Sequence, residues 1–309
     1  MGNKQKNGIK TFQKLKRNAA INTSLKRLND DELKRLQKCL LAMLDDFHSL
    51  CLRNNLRYFL TGGNALGLER NQGFIPWDDD IDVIMPREDY EKLAECVQRE
   101  MSESYWVQGL ETSAVHDLNF LKFRKLGTKY IELFEPEPDK AGICIDVFPL
   151  DNVYDNKLKA FLYGLINEGL YLAASCVRMH QKKDRLLLYI NDESLTKAIR
   201  LKSFIGSILD RKSNPRFWYI LCEKWSKMVK ENQSKKVVVS CGRGHYFGEQ
   251  YEKDRIFPLK ESNFEGHKVL TANDNVYLVK VLYGSDYMTP HPAGEREAHS
   301  LLELDFGEG

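Results

Sequence analysis

Four aspartates crowd into positions 78–82 of this 309-residue chain, in the run Trp77-Asp78-Asp79-Asp80-Ile81-Asp82-Val83. Aspartate is disfavoured in strands, yet the run leads directly into the apolar Val83-Ile84-Met85. Alternate strand residues share a face, so Asp78, Asp80 and Asp82 are expected on one side and Asp79 and Ile81 on the other. Same-face neighbours lie about 7 Å apart along a strand. Carboxylate oxygens about 5 Å apart repel by roughly 3 kcal/mol at an effective dielectric near 20. A divalent cation reverses that sign, and hard ions such as Mg²⁺ or Mn²⁺ prefer carboxylate oxygens. An acidic surface turn would account for Asp78 and Asp79. It does not account for the alternation of acid and large aliphatic from Asp80 to Ile84.

A second isolated acid fits the same pattern. Asp146 sits in the otherwise apolar run Ile143-Cys144-Ile145-Asp146-Val147-Phe148. A lone buried carboxylate is costly unless paired or bound to metal. If the two strands are neighbours, Asp146 completes a three-carboxylate cluster; otherwise it caps or turns the chain. Upstream, Gly62-Gly63 lies between a short apolar strand and a helix. Glycines and a helix N-terminus together suit a phosphate. The ensemble of glycine pair, acid-x-acid strand and later acid suits in-line displacement at phosphorus.

Apolar spacing predicts a helix from Asn29 or Asp30 to about Asn54, through Leu33, Leu36, Leu40, Met43, Leu44, Phe47 and Leu50. Tyr58 to Leu60 reads as a strand, Thr61 to Asn64 as a turn and Ala65 to about Arg70 as a short helix. Asp80 to Met85 is a strand, and Pro86 opens a helix to about Arg99. Strands are expected at 105–108, 119–126, 129–134 and 142–148. Residues 157–232 carry mainly helical patterning. A strand at 237–240 and a helix at 273–283 precede an irregular C-terminus. The division is a basic tail at 1–28, a core at 29–151, a helical subdomain at 152–235 and a segment at 236–309 that completes the site. The fold class is α+β.

Bulk properties exclude several classes. Net charge is only +2, so no global basic field invites nucleic acid. Seven cysteines without a CxxC pair read as reduced thiols of a cytoplasmic protein. Cys241 and His245 could both ligate metal, but two further ligands are not evident nearby. The N-terminus is basic but lacks the apolar segment of a signal peptide. No run of 18 uncharged apolar residues predicts a transmembrane span. The basic tail reads as a solvated terminus or as a weak attraction to an anionic membrane surface.

The stretch Tyr58-Phe59-Leu60-Thr61-Gly62-Gly63-Asn64-Ala65-Leu66-Gly67, then Gly73-Phe74-Ile75-Pro76-Trp77-Asp78-Asp79-Asp80-Ile81-Asp82-Val83 and Met85-Pro86-Arg87-Glu88-Asp89-Tyr90, resembles the LicD family of the nucleotidyltransferase superfamily. Ile145-Asp146-Val147-Phe148-Pro149-Leu150-Asp151, Phe264-Glu265-Gly266 and Tyr283-Gly284-Ser285-Asp286-Tyr287-Met288 continue the match. Where that family has Gly-Thr-Leu-Leu-Gly, this chain has Gly63-Asn64-Ala65-Leu66-Gly67, which departs at Asn64 and Ala65.

The resemblance implies a nucleotidyltransferase-like core, a small mixed sheet flanked by helices, with a helical insertion. It implies transfer of phosphocholine, or of a phospho-alditol, from a CDP-linked donor such as CDP-choline to a hydroxyl of a cell-surface glycan. CMP would leave. The alternative is nucleotidyl transfer to a small molecule with release of pyrophosphate. By resemblance Asp80, Asp82 and Asp146 are the catalytic, metal-binding acids for Mg²⁺ or Mn²⁺, and Asp146 instead, or also, activates the acceptor. Gly62, Gly63, Asn64, Arg70, Lys122 and Arg124 are candidates for the donor phosphates. The Lys122–Arg124 pair reads equally as a solvated strand face. Trp77 either stacks a base or packs, and Asp78, Arg296 and His299 are further site candidates. The middle helices read as core, as an acceptor lid or as a peripheral membrane contact near a lipid-linked glycan.

Overall fold

The first long helix forms where the apolar spacing places it. In a computed structural model that describes residues 25–190, 192–210, 215–230, 234–290, 299 and 301–307, helix α1 spans Asp30–Arg53. Most of the basic tail lies outside the described residues. The Asn29 side chain accepts from the backbone N–H groups of Asp31 and Glu32, and Glu32 reaches back to the Asn29 N–H. Such a cap is worth about 1 kcal/mol. Leu36, Leu40, Met43, Leu44 and Phe47 of α1 are buried against the central sheet.

That sheet has seven strands. β1 (Phe59–Leu60), β2 (Asp82–Pro86), β3 (Tyr105–Gln108), β4 (Leu121–Lys125) and β6 (Cys144–Val153) run in the order β1-β2-β6-β4-β3. β7 (Lys236–Val238) pairs with the far end of β6, and β8 (Gln250–Glu252) pairs with β7. Only β2 and β6 are parallel among the paired strands described, so the sheet is mixed and the chain is α+β. β5 (Lys129–Glu132) lies off this sheet and pairs with β11 (Leu301–Asp305), while β9 (Lys260–Phe264) and β10 (His267–Thr271) form a separate antiparallel pair.

Alternation along the strands divides the two faces of the sheet. Val83, Met85, Ile145 and Val147 join the core under α1. Ile84 and Leu150 join a second core with Ala65, Leu66 and Leu278, supplied by α2 (Gly62–Asn71) and α9 (Asn275–Tyr283). Helix α3 (Arg87–Glu100) follows β2. Three more helices, α4 (Lys157–Leu187), α5 (Glu193–Leu209) and α6 (Pro215–Ser226), follow β6, and the short helices α7 (His245–Gly248) and α8 (Lys253–Ile256) flank β8. By length and composition alone α4 could cross a membrane, and 39% of its most apolar window is buried inside the protein. Arg87 joins this helical layer to the sheet, donating to Asp151 at 2.7 and 2.8 Å and to Glu223 at 3.1 Å.

Three boundaries differ from the sequence expectation. β2 begins at Asp82 rather than Asp80, and Asp78–Ile81 form an irregular turn. The cause is Asn64, whose carboxamide donates to the Asp80 carbonyl at 3.1 Å and accepts from the Asp82 N–H at 2.6 Å. Strict alternation therefore does not extend back to Asp78, and Asp79 does not point away from the other acids. Secondly, α2 begins at Gly62, where a turn was expected. Thirdly, the C-terminal segment contains the paired strand β11 rather than irregular chain alone.

Candidate functional site

The site is built around one line of residues across three strands. Asp82 on β2 is the register partner of Asp146 on β6, and Asp146 is the register partner of Lys122 on β4. The Lys122 Nζ donates to Asp146 Oδ1 at 3.0 Å and Oδ2 at 3.3 Å, and to Glu132 Oε2 at 3.0 Å. Burial opposes the lysine charge, but Asp146, Cys144 and Glu132 overcome it and raise Lys122 well above the ordinary lysine value. Burial likewise opposes the Glu132 charge, yet Lys122 and then His299 hold that carboxyl well below its usual range.

The acidic turn sits against the start of α2. Gly62 has φ of +57°, and a Cβ there would come within 2.6 Å of Asp82 Oδ2. A Cβ at Gly63 would come within 2.6 Å of Asp78 Oδ2. Only glycine lets the helix start approach both carboxylates this closely. The positive end of the helix dipole then faces them. Gln37 of α1 anchors the turn by donating to the Asp78 carbonyl at 2.9 Å. Burial, and then the charges of Asp80, Asp79 and Asp82, push the Asp78 carboxyl well above its usual range.

His299 closes the other side. Its Nδ1 lies 2.8 Å from Asp79 Oδ1, and its backbone N–H donates to Asp79 Oδ2 at 3.3 Å. The opposite ring nitrogen lies 3.6 Å from Asp80 Oδ2 and 4.0 Å from Glu132 Oε1. Asp79, Asp80 and His299 each offer a ligand atom within 4.8 Å of the others, the only such His, Cys, Asp or Glu group among the described residues. Asp80, Asp82 and Asp146 are not among the groups at that spacing in the described residues, and Asp146 is instead bonded to Lys122. The donor set remains one of hard oxygens with a single imidazole, and the crowded Asp78 marks negative charge in excess of what Lys122 balances. Those properties fit Mg²⁺ or Mn²⁺.

The remaining candidates are placed elsewhere. Arg124 is fully buried, and its guanidinium donates to Gln108 at 2.7 Å, to the Gly142 carbonyl at 2.8 Å and to Glu135. It shares the face of Lys122, but its contacts hold together β3, β4 and the loop after β5. Arg70 donates to the carbonyls of Tyr287 and Thr289, the latter at 2.9 Å, and so fastens the turn after α9. Trp77 packs half-buried against the second core. Arg296 lies outside the described residues. All seven cysteines are free thiols, five of them buried. Two participants escaped the sequence reading. Nothing in Lys129-Tyr130-Ile131-Glu132 marks Glu132 as more than an ordinary strand acid, and Asp79 was assigned to the wrong face.

The LicD/FKTN/FKRP nucleotidyltransferase domain profile matches residues 55–160, which carry Gly62 and Gly63, the acidic turn, Lys122 and Asp146. Residues 55–160 are thus a LicD-family domain. It is 26% identical over 283 residues to the lipopolysaccharide cholinephosphotransferase LicD of Haemophilus influenzae, covering 88% of this chain and 97% of that protein. An uncharacterized protein of Rickettsia typhi is 30% identical over 146 residues, 46% of this chain and 44% of its own length. An uncharacterized protein of Rickettsia prowazekii is 35% identical over 68 residues, 20% of this chain and 26% of its own length.

Proposed function

We propose that this protein is a metal-dependent transferase that moves phosphocholine from CDP-choline to a hydroxyl of lipopolysaccharide, releasing CMP. The observation that carries the reading is the strand register that sets Asp82 beside Asp146, with Asp80 in the turn held by Asn64. The Haemophilus relative supplies the transferred group and the acceptor class. A phospho-alditol donor and a capsule or teichoic-acid acceptor use the same chemistry. In this reading residues 29–151 form the nucleotidyltransferase-like core, 152–235 a helical insertion and 236–309 the segment that closes the site. The work is done on the cytoplasmic side.

Asp80 and Asp82 would hold Mg²⁺ or Mn²⁺ with Asp146 as third carboxylate, and Asp79 and His299, which stand at ligand spacing from Asp80, would complete the donors. When bound there, such an ion would neutralise charge on the donor diphosphate. The acceptor oxygen forms the new bond to phosphorus, and the bond from phosphorus to the CMP oxygen breaks. The hydroxyl proton passes to a carboxylate, a role this reading gives to Asp146. Lys122 brings a second positive charge beside Asp146 and suits the equatorial phosphoryl oxygens. Gly62 and Gly63 bring the start of α2 up against Asp82 and Asp78, and the donor phosphates would meet that helix end beside the ion these acids hold.

The test is incubation with CDP-choline, CDP-ribitol or CDP-glycerol in the presence of Mg²⁺ or Mn²⁺, read by nucleotide product. CMP release is expected. Pyrophosphate release from a nucleoside triphosphate would select nucleotidyl transfer instead. No turnover of any CDP-linked donor by folded protein overturns the proposal.

A further inference from the structure

Most of the large apolar side chains that the described residues leave in solvent lie on α4, α5 and α6. On the first half of α4, Leu158, Phe161, Leu162, Leu165, Ile166 and Leu172 are all about half exposed or more. Their spacing confines them to one stripe of a 3.6-residue helix. Gly169 falls on the same stripe, with no atom near the place a Cβ would occupy. The opposite side of α4 faces the protein body: Tyr163 stacks on Trp225, Asn167 reaches Ser226 at 3.3 Å, and Tyr171 accepts from Asn119 at 2.9 Å.

Helix α5 continues the exposed face. Its Gly206 lies directly against the Cys176 carbonyl, so α5 crosses the second half of α4. Its own exposed apolar residues are Leu201, Phe204 at 66%, Ile205 and Ile208 at 57%. An apolar surface on this scale is unusual for a soluble monomer and marks an interaction face.

Charge identifies the occupant. Residues 157–226 carry 13 Lys and Arg against 6 Asp and Glu, a net +7, in a chain whose total is +2. The remainder is therefore −5. Lys157 and Lys159 are exposed and border the α4 stripe. A basic segment bordering an apolar face suits the headgroup region of an anionic bilayer. A second copy of the chain would bring the same positive charge to the contact and be repelled.

The helix also carries polar ties that spanning a bilayer would break. Arg178 and Lys182 both pair with the buried Asp117, at 3.1 and 2.5 Å. α4 is thereby held to the loop before β4 and cannot leave the protein for the bilayer core.

We propose that the outer face of α4 and α5 is a peripheral docking surface for anionic membrane, on which this protein lies without spanning. It goes beyond the transferase reading and is tested without donor or acceptor. Full-length protein is floated with vesicles of phosphatidylglycerol and phosphatidylcholine, and with phosphatidylcholine alone, at low and high salt. Binding to the anionic vesicles that weakens with salt is expected. The exposed double variant Phe161→Glu/Leu165→Glu should bind at least about tenfold less, with an unchanged thermal transition. A second variant, Phe204→Glu/Ile208→Glu, should do the same.

No binding to anionic vesicles by folded wild-type protein overturns the proposal. So does equal binding to neutral vesicles, or binding that survives both variants. A dimer in light scattering that the Phe161→Glu/Leu165→Glu change dissociates would assign the face to a second copy instead. Because no turnover is measured, failure here leaves the transferase reading intact, and an inactive but membrane-bound protein would sink that reading alone.

Discussion

Asp82 and Asp146, 64 residues apart in the chain, are register partners on the only parallel strand pair described in the sheet. Their backbones hold the two carboxyl groups on neighbouring strands irrespective of any loop. Asp82→Asn and Asp146→Asn are each expected to lower CMP release on the order of a hundredfold or more. The sheet should survive, because both changes keep the side-chain volume, and Lys122, which loses a charged partner in Asp146→Asn, keeps its pair with Glu132 at 3.0 Å. Steady-state rates beside a urea melt check both halves of this statement. Unaltered turnover in either variant would remove that acid from the proposed centre.

Asp79 and His299 form the second testable pair. Alternation along a continuous strand would make Asp79→Asn mild. The irregular turn instead aims Asp79 at His299, with Nδ1 at 2.8 Å. Asp79→Asn and His299→Gln should therefore weaken Mn²⁺ binding to a similar degree, by roughly 10–100-fold. Titration followed by electron paramagnetic resonance reads this without substrate. A tight-binding Asp79→Asn protein would mean that the pair plays no part in holding metal.

Lys122 and Arg124 share a strand face but should behave differently. Lys122→Ala is expected to reduce turnover, since it removes the ammonium beside Asp146. Arg124→Ala should chiefly destabilise, by roughly 3–5 kcal/mol, because it leaves buried Glu135 without its partner. The urea midpoint and the KM for donor separate the two effects. A raised KM in an Arg124 variant of undiminished stability would restore its direct role in binding phosphate.

Glu249 predicts a pH dependence. It is buried beside the Cys241–His245 loop, where it accepts from the Gly244 N–H at 2.9 Å. Burial pushes its carboxyl from 4.5 up to about 7. A raised folded-state value means that its contribution to stability is complete below about pH 4.5 and lost as pH rises through about 7. The loss amounts to about 3 kcal/mol at most. Glu249→Gln, which cannot ionise, should therefore gain stability relative to wild type between pH 5 and 8. Parallel melts across that range decide the matter, and a constant difference would show that Glu249 does not titrate there.

Much of this arrangement was legible because it is local. An acid alternating with aliphatics, a lone acid in an apolar strand and a glycine pair before a helix each carry their physical reason within a few residues. The adjacency of Asp82 and Asp146 was legible only conditionally, since strand order is not written in either strand. The start of β2 was not legible. It depends on Asn64 capturing the backbone groups of Asp80 and Asp82, and an asparagine in a helix start gives no sign of what it will bond. Glu132 was missed, and Arg124 was read as a phosphate contact or a solvated face, for a related reason. Their sequence surroundings are ordinary, and whether a charged strand residue faces water, another charge or a substrate is settled by Gln108, Glu135, Lys122 and His299 from other segments.

The contact between Asp79 and His299 spans 220 positions of the chain. Contacts of such separation are formed late in folding, because the intervening chain must be ordered before they can hold. The sheet bearing Asp82, Asp146 and Lys122 draws on a shorter stretch and can stand before His299 arrives. Loss of the pairing of β11 with β5 would therefore withdraw His299 from Asp79 while leaving that sheet in place. A population in that state keeps its core and its helices without the wall that His299 provides.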